Sequence, residues 1–233
     1  MIDIVGEQKF FFIGDVHGNF TNLKKALKKK KVKKEDCLVF LGDLINKGKE
    51  NIEVLEFVEK WENKIIILGN HERVLIDYIL NDAKYLSDFV NSCGGKWMSY
   101  VSEDVLKKWA HFFIDNSFYF LDFKIDGKII GCCHASVPFD DWDKMKSNFK
   151  DVHPEIIWSF DRFNKFSDNK KVNPISNIDG VVFGHTPVKN ITKVENTLYI
   201  DTGSFLEDPK KYEFGDITVI EIREIKKMLF DSE

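Results

Sequence analysis

An apolar run of three to five residues that stops abruptly at a small polar motif recurs along this chain, and the recurrence narrows the possible folds more than composition does. Phe10–Ile13 leads into Gly14-Asp15-Val16-His17-Gly18, Leu38–Leu41 into Gly42-Asp43-Leu44-Ile45-Asn46-Lys47-Gly48, and Ile65–Leu68 into Gly69-Asn70-His71-Glu72. Further on, Ile129–Cys133 leads into His134-Ala135-Ser136, Val181–Phe183 into Gly184-His185-Thr186-Pro187, and Leu198–Ile200 into Asp201-Thr202-Gly203. Short continuous apolar runs rich in Ile, Val and Phe read as strands buried on both faces. Helical patterns over 20–31, 51–61 and 73–80 separate the early ones. This alternation predicts an α/β fold with a largely parallel sheet. Ligands in such sheets sit at the carboxyl ends of the strands, so the polar motifs are expected to converge on one edge. Gly14, Gly42, Gly69 and Gly184 each precede a polar motif residue, where the chain must turn sharply and pass close to a site.

No repeat, linker or composition break divides the chain, so a single domain over 1–233 is expected. No stretch approaches the roughly 18 apolar residues of a membrane span. The acidic start lacks the apolar core of a secretory signal, and a cytoplasmic protein is expected. Cys37, Cys93, Cys132 and Cys133 show no CxxC spacing and read as reduced thiols, the adjacent pair packed in a strand. A net charge of −4 argues against nucleic acid or anionic membranes as partners. The lysine-rich segment 24–34 reads as the solvated face of a helix whose apolar stripe is Phe20, Leu23, Ala26 and Leu27. Arginine is scarce: Arg73, Arg162 and Arg223 are the whole complement.

Asp15, His17, Asp43, Asn70, His134 and His185 form an oxygen and imidazole set that suits manganese, iron or zinc. An aspartate bridging two such ions holds them about 3.5–4 Å apart, and a hydroxide between them is a strong nucleophile near neutral pH. A histidine such as His71 suits proton transfer in the same range.

In their order and spacing, GDVHG, GDLINKG, GNHE, a lone histidine after a strand, and GHTP resemble the phosphoprotein phosphatase family of the calcineurin-like metallophosphoesterase superfamily. The likeness is to the compact bacteriophage lambda-type and bacterial serine/threonine phosphatases. It runs from about Phe10 to Ile222 and takes in Cys93-Gly94-Gly95-Lys96-Trp97. The resemblance implies a central β-sandwich flanked by helices (α/β/β/α) and two divalent ions, manganese first. It implies Asp15 and His17 on one ion, Asp43 bridging, and Asn70, His134 and His185 on the other. His71 would be the general acid. The implied reaction is hydrolysis of phosphate monoesters, on a protein phosphorylated at serine or threonine, with dual specificity for tyrosine also open, or on a small phosphoester. Symmetrical dinucleoside tetraphosphatases and other nucleotide phosphohydrolases are the alternative, and a catalytically weakened metal-binding scaffold is a third.

The chain departs from the family pattern where the second motif has Asn46 for an aspartate that bonds the acid histidine and Lys47 for a phosphate-binding arginine. Phe160 also stands where phage-type relatives carry a second arginine, with Arg162 two residues on as its possible replacement. Asn46 is expected to accept a hydrogen bond from His71 through its amide oxygen, without the negative charge that stabilises imidazolium. Lys47 offers a point charge and no bidentate fork. A weakened acid favours leaving groups that need no proton, such as phenolates. Segment 137–178, with Phe139, Trp142, Phe149, Trp158, Phe160, Phe163 and Phe166, reads as a long loop that either selects substrate or underlies the edge. Glu72, His111 and His153 read as structural, and Asp201 as either a turn residue or an orienter of a ligand.

Overall fold

The computed structural model describes residues 1–206 and 215–231; the remaining residues of the 1–233 span lie outside the described residues. In chain order the elements are β1 (Ile2–Asp3), β2 (Phe10–Ile13), α1 (Phe20–Lys29), β3 (Cys37–Phe40), α2 (Asn51–Lys60), β4 (Lys64–Ile67) and α3 (Asn70–Leu80). Next come α4 (Ser87–Ser92), α5 (Glu103–Asn116), β5 (Ser117–Phe118), β6 (Phe120–Ile125), β7 (Lys128–Cys133), α6 (Trp142–Ser147), α7 (Phe149–Trp158) and α8 (Asp161–Ser167). The chain closes with β8 (Gly180–Phe183), β9 (Thr192–Val194), β10 (Thr197–Tyr199), β11 (Val219–Glu221) and a last helix, Ile222–Phe230.

The strands form two sheets, with orders β11-β2-β3-β4-β5 and β1-β6-β7-β8-β10-β9. A single, largely parallel sheet holds only for the first, where β2 through β5 are parallel and β11 is antiparallel. The second sheet is mixed because Asp126-Gly127, both at positive φ, closes β6 and β7 into an antiparallel hairpin. Strand alternation then dictates the layers. Phe10, Phe12, Val39 and Ile67 from one sheet and Phe123, Ile130, Cys132, Val182 and Leu198 from the other share the inter-sheet core. Their neighbours point outward: Phe11, Ile13, Leu38 and Phe40 pack on α1, α2, α3 and α5 through residues such as Leu23, Val54, Leu75 and Phe113. Cys133, Val181, Phe183 and Tyr199 pack on Trp142, Met145, Val152 and Ile156 of α6 and α7. The result is the four-layer α/β/β/α sandwich. All four cysteines are free thiols.

Two local features aim the motifs. Helix α3 starts at Asn70, three residues before the apolar pattern suggests, because the Glu72 side chain reaches back to the Gly69 N–H (3.1 Å). The 137–178 segment is largely helical, and its buried residues are the hydrophobic underlayer. It meets the motifs through the Ile156 carbonyl, which accepts the Ala135 and Ser136 N–H groups (2.8 and 3.3 Å), and through Trp158 and Phe160, both partly exposed, which border His185.

Candidate metal centre

The loop after β2 and the loop after β3 are zipped together by backbone bonds from the Val16 and His17 N–H groups to the Asp43 carbonyl (3.0 and 2.8 Å). The second loop is held from α3 by Glu72, whose carboxylate accepts the N–H groups of Asp43 and Leu44 (both 2.8 Å) and Ile45 (3.3 Å). Glu72 is therefore a structural clamp. The sharp turns fall on the polar residues themselves: His17, Asp43, Asn46, Lys47 and His185 all have positive φ. Of the four glycines singled out above, Gly42 alone shares that conformation (φ +96°); the others give room, as at Gly184, where a Cβ would collide with Asp15 Oδ1. Non-glycine residues in this region carry strain of about 1–3 kcal/mol each, which clusters at functional sites.

The six ligand-type side chains meet in one buried cluster. Asp43 lies at its centre, with His17 Nε2 and His71 Nε2 at 3.6 and 3.7 Å from Oδ2 and His134 Nε2 at 3.3 Å from Oδ1. Asp15 Oδ2 is 3.7 Å from His17 Nε2, and Asp15 Oδ1 accepts the His185 backbone N–H (3.0 Å). Asn70 Oδ1 faces both His134 Nε2 (3.0 Å) and His185 Nδ1 (3.1 Å). Two donor groups result, His17–Asp43–His71 and Asp43–His134–His185, and Asp43 belongs to both.

Three features of this cluster fit metal ions. First, the outer ring nitrogens bond to backbone carbonyls, which only accept: His17 Nδ1 to Ile45 (3.1 Å), His134 Nδ1 to Leu41 (2.6 Å) and His185 Nε2 to Trp158 (3.3 Å). Each of those nitrogens must carry a proton, so that in the neutral ring the other nitrogen's lone pair faces inward. Second, Asp15 Oδ2 and Asp201 Oδ2 are buried without a hydrogen-bond partner. Third, burial and the charges of Asp201 and Asp43 hold the Asp15 carboxyl well above the usual carboxylate range. Burial and neighbouring Asp43 likewise leave Asp201 at about 6, despite the bond its Oδ1 accepts from the Gly203 N–H (2.8 Å). A divalent cation relieves such crowding.

Burial drives His17 below its ordinary value, and it drives His185 down to about 3. Burial also lowers His71 to about 4, helped by Lys47 and His134 and opposed by Asp43. His134 goes the other way: burial would lower it, but Asp43 beside it pushes it up to about 10. Asp43 itself stays well below the usual range because His71, His134 and His17 outweigh its burial.

Beyond the ligand set, two expectations need correction. Asn46 does not accept from His71. Its amide nitrogen faces His71 Nδ1 (2.9 Å), because its oxygen accepts the indole N–H of Trp97 (2.8 Å). Arg162 is not brought to the cluster. It is buried, with Nη1 donating to Asp140 Oδ1 and Nη2 to the Asn173 carbonyl, both at 2.7 Å. Lys47 does reach the centre, its Nζ 3.0 Å from His17 Nε2 and 3.9 Å above the Phe205 ring. Sequence reasoning gave no role to Trp97, although it lies in a family-like stretch, nor to Asn51, whose side chain binds the Asn46 N–H (2.7 Å) and the Gly48 carbonyl (2.8 Å). Phe89 and Phe160 flank the site at ring distances of 5.9 Å from His71 and 4.2 Å from His185.

A four-layer sandwich with aspartate, asparagine and histidine side chains of ligand type gathered at its strand ends fits a class of metal-dependent hydrolases of phosphoric esters. The family model for calcineurin-like phosphoesterases matches residues 8–189, and the chain belongs to that family. It is 31% identical over 198 residues to serine/threonine-protein phosphatase 2 of Salmonella typhimurium, covering 83% of this chain and 86% of that protein. A shorter likeness, 44% over 68 residues (28% of this chain and 24% of the relative), joins it to a symmetrical bis(5'-nucleosyl)-tetraphosphatase of Buchnera aphidicola. Among solved structures, the cold-active protein-tyrosine phosphatase of a psychrophilic Shewanella species shares the fold, with TM-score 0.56 and 15% identity over 89% of this chain and 75% of that one.

Proposed function

We propose that the chain, as a single catalytic unit over 1–233, is a protein phosphatase that hydrolyses phosphate monoesters with two divalent ions, manganese in the first instance. The observation that carries this reading is Asp43, shared by both donor groups, with His71 beside it. Asp15 and His17 would hold one ion and Asn70, His134 and His185 the other, with Asp43 common to both. When bound, the ions supply an activated water and take up charge on the phosphoryl oxygens. The protein's own contribution is positional. Backbone carbonyls fix the tautomers of three histidines, Glu72 fixes the Asp43 loop, and His71 presents Nε2 toward the reacting side. Lys47 carries the cation nearest that side, on a stem long enough to follow a phosphate. Phe89, Trp158 and Phe160 form an apolar wall that shields one flank from water.

The likeness over most of the chain to a bacterial serine/threonine phosphatase favours a phosphoprotein substrate. The shorter likeness to a dinucleoside tetraphosphatase, together with Asn46, supports a nucleotide substrate as the second reading. The test is hydrolysis of 4-nitrophenyl phosphate, phosphopeptides and a dinucleoside tetraphosphate, with manganese and with chelator, beside metal content. Asp43→Asn should lose both ions together, as counted by mass spectrometry, and all turnover. An Asp43→Asn protein that keeps two ions and wild-type rates would defeat the assignment.

A further inference from the structure

Trp97 sits 51 positions after Asn46, yet its hydrogen bond decides which way the Asn46 amide faces. An indole N–H only donates. Its partner at 2.8 Å must therefore be the amide oxygen, and the NH2 group is turned onto His71 Nδ1 at 2.9 Å. A second contact agrees. Asn46 Nδ2 lies 3.8 Å from Cys93 Sγ, and that thiol donates onward to the Val90 carbonyl (3.7 Å), so its sulfur is an acceptor toward Asn46. The amide thus has both N–H bonds and its carbonyl engaged in one orientation, in a residue with no solvent exposure. The segment is held in place by Gly94 (φ +82°), where a Cβ would run into the Lys47 backbone.

We propose, building on the phosphoesterase reading, that Trp97 is a positioning residue that sets leaving-group preference. By holding the Asn46 oxygen it makes His71 Nδ1 an acceptor, so the neutral ring carries its one proton on Nε2, toward the reacting side. In that state His71 gives a hydrogen bond to the departing oxygen. To pass the proton on outright, the ring would need a second N–H at Nδ1, and that would point at the Asn46 NH2, donor against donor. The P–O bond therefore breaks with the electron pair leaving on an oxygen stable as an anion. Aryl phosphates and phosphotyrosine fit this requirement, and serine phosphates do not. The wall of Phe89 and Trp158, with rings 5.3 Å apart, borders the side from which such a group departs.

The experiment compares kcat/KM for 4-nitrophenyl phosphate, phenyl phosphate and a phosphoserine peptide in four proteins with manganese. These are the parent, Asn46→Asp, Trp97→Phe and the double variant. A carboxylate accepts from His71 and Trp97 alike, so Asn46→Asp should raise the phenyl-to-nitrophenyl ratio on the order of 10²-fold, the low end of general-acid contributions. Trp97→Phe frees the amide to rotate and should move the ratio the same way, by a smaller factor. In the double variant it should add nothing. Loss of mere packing would lower all rates together and leave the ratio fixed, and that result overturns the proposal. A direct readout comes from 15N-histidine NMR of the metal-free protein, where His71 should show a protonated Nε2. A protonated Nδ1 also overturns it. Absence of metal-dependent nitrophenyl phosphate hydrolysis in the parent would instead sink the phosphoesterase reading and leave the NMR result standing.

Discussion

Replacing Gly42 by alanine should damage the metal centre by a calculable route. Gly42, two residues past β3, has φ +96°, and an added Cβ would lie 2.6 Å from His134 Nδ1 and 2.7 Å from Gly69 N and Cα. None of these atoms is the far end of a flexible chain: two are backbone, and the third belongs to a fully buried ring. Left-handed backbone costs a non-glycine residue about 1–2 kcal/mol. Forcing a methyl group into a filled core adds about 1–3 kcal/mol, and the stiffer unfolded chain returns about 0.4–1 kcal/mol. The sum is a destabilisation of about 1–5 kcal/mol, read from urea unfolding in chelator. Gly127 supplies the control. It has φ +77° and nothing within 4 Å of its added Cβ, so Gly127→Ala should show the backbone cost alone. The difference is the steric part, and it should carry a functional mark. The methyl displaces the His134 ring from the Leu41 carbonyl that fixes its tautomer, so metal retention should fall about 10–100-fold, as when such supporting bonds are lost. Equal stability losses in the two variants, with metal retention unchanged in Gly42→Ala, would refute the reasoning.

Arg162→Met should cost about 2–3 kcal/mol in chemical denaturation, since it strands the Asp140 carboxylate and the Asn173 carbonyl, while KM for an aryl phosphate stays within about twofold. A tenfold rise in KM would place the guanidinium on the phosphate after all. Metal uptake should release a proton, because Asp43 holds His134 protonated up to about 10 and a metal ligand must be neutral. Calorimetry at pH 8 in buffers of different ionisation enthalpy should report at least one proton released, the His134 share falling toward zero above pH 10; a heat independent of buffer would contradict this. In the metal-free protein the same raised value adds stability that is fully present below pH 6.5 and is lost as pH climbs through about 10, and His134→Gln should remove that slope from a denaturation profile.

Much of the site could be read from the sequence because each ligand type follows its own strand directly, so that strand register alone sets its place. Ile13 opposite Phe40 in the parallel pair β2–β3 puts Asp15 and Asp43 at adjoining strand ends whatever the rest of the chain does. The parts that were misread depend on partners far away or on packing. The second sheet is not distinguished by its strands, which are also short and apolar; its signal is the Asp126-Gly127 turn that closes the β6–β7 hairpin. The 137–178 segment looked like a loop because its helices are short, α7 contains Pro154, and aromatic residues obscure the helical period. Arg162 stands two residues beyond the place of the family's second arginine, but a buried arginine goes to whatever acceptors enclose it, here Asp140 and Asn173.

Asn46 shows why the identity of a residue underdetermines its chemistry. An amide and a carboxylate have the same shape, and replacing one by the other is usually counted as the loss of a charge. Here the larger change is in hydrogen-bond direction. A carboxylate accepts at both oxygens and can serve Trp97 and His71 together. An amide must give one of its two ends to each, and Trp97 can take only the oxygen. The neighbour's chemistry therefore converts a lost charge into a reversed hydrogen bond on His71. If charge alone mattered, the Trp97 substitution would have the same effect whether residue 46 were an amide or an acid. If direction matters, Trp97 counts only while an amide stands at 46, so the coupling between the two positions separates a weakened acid from a redirected one.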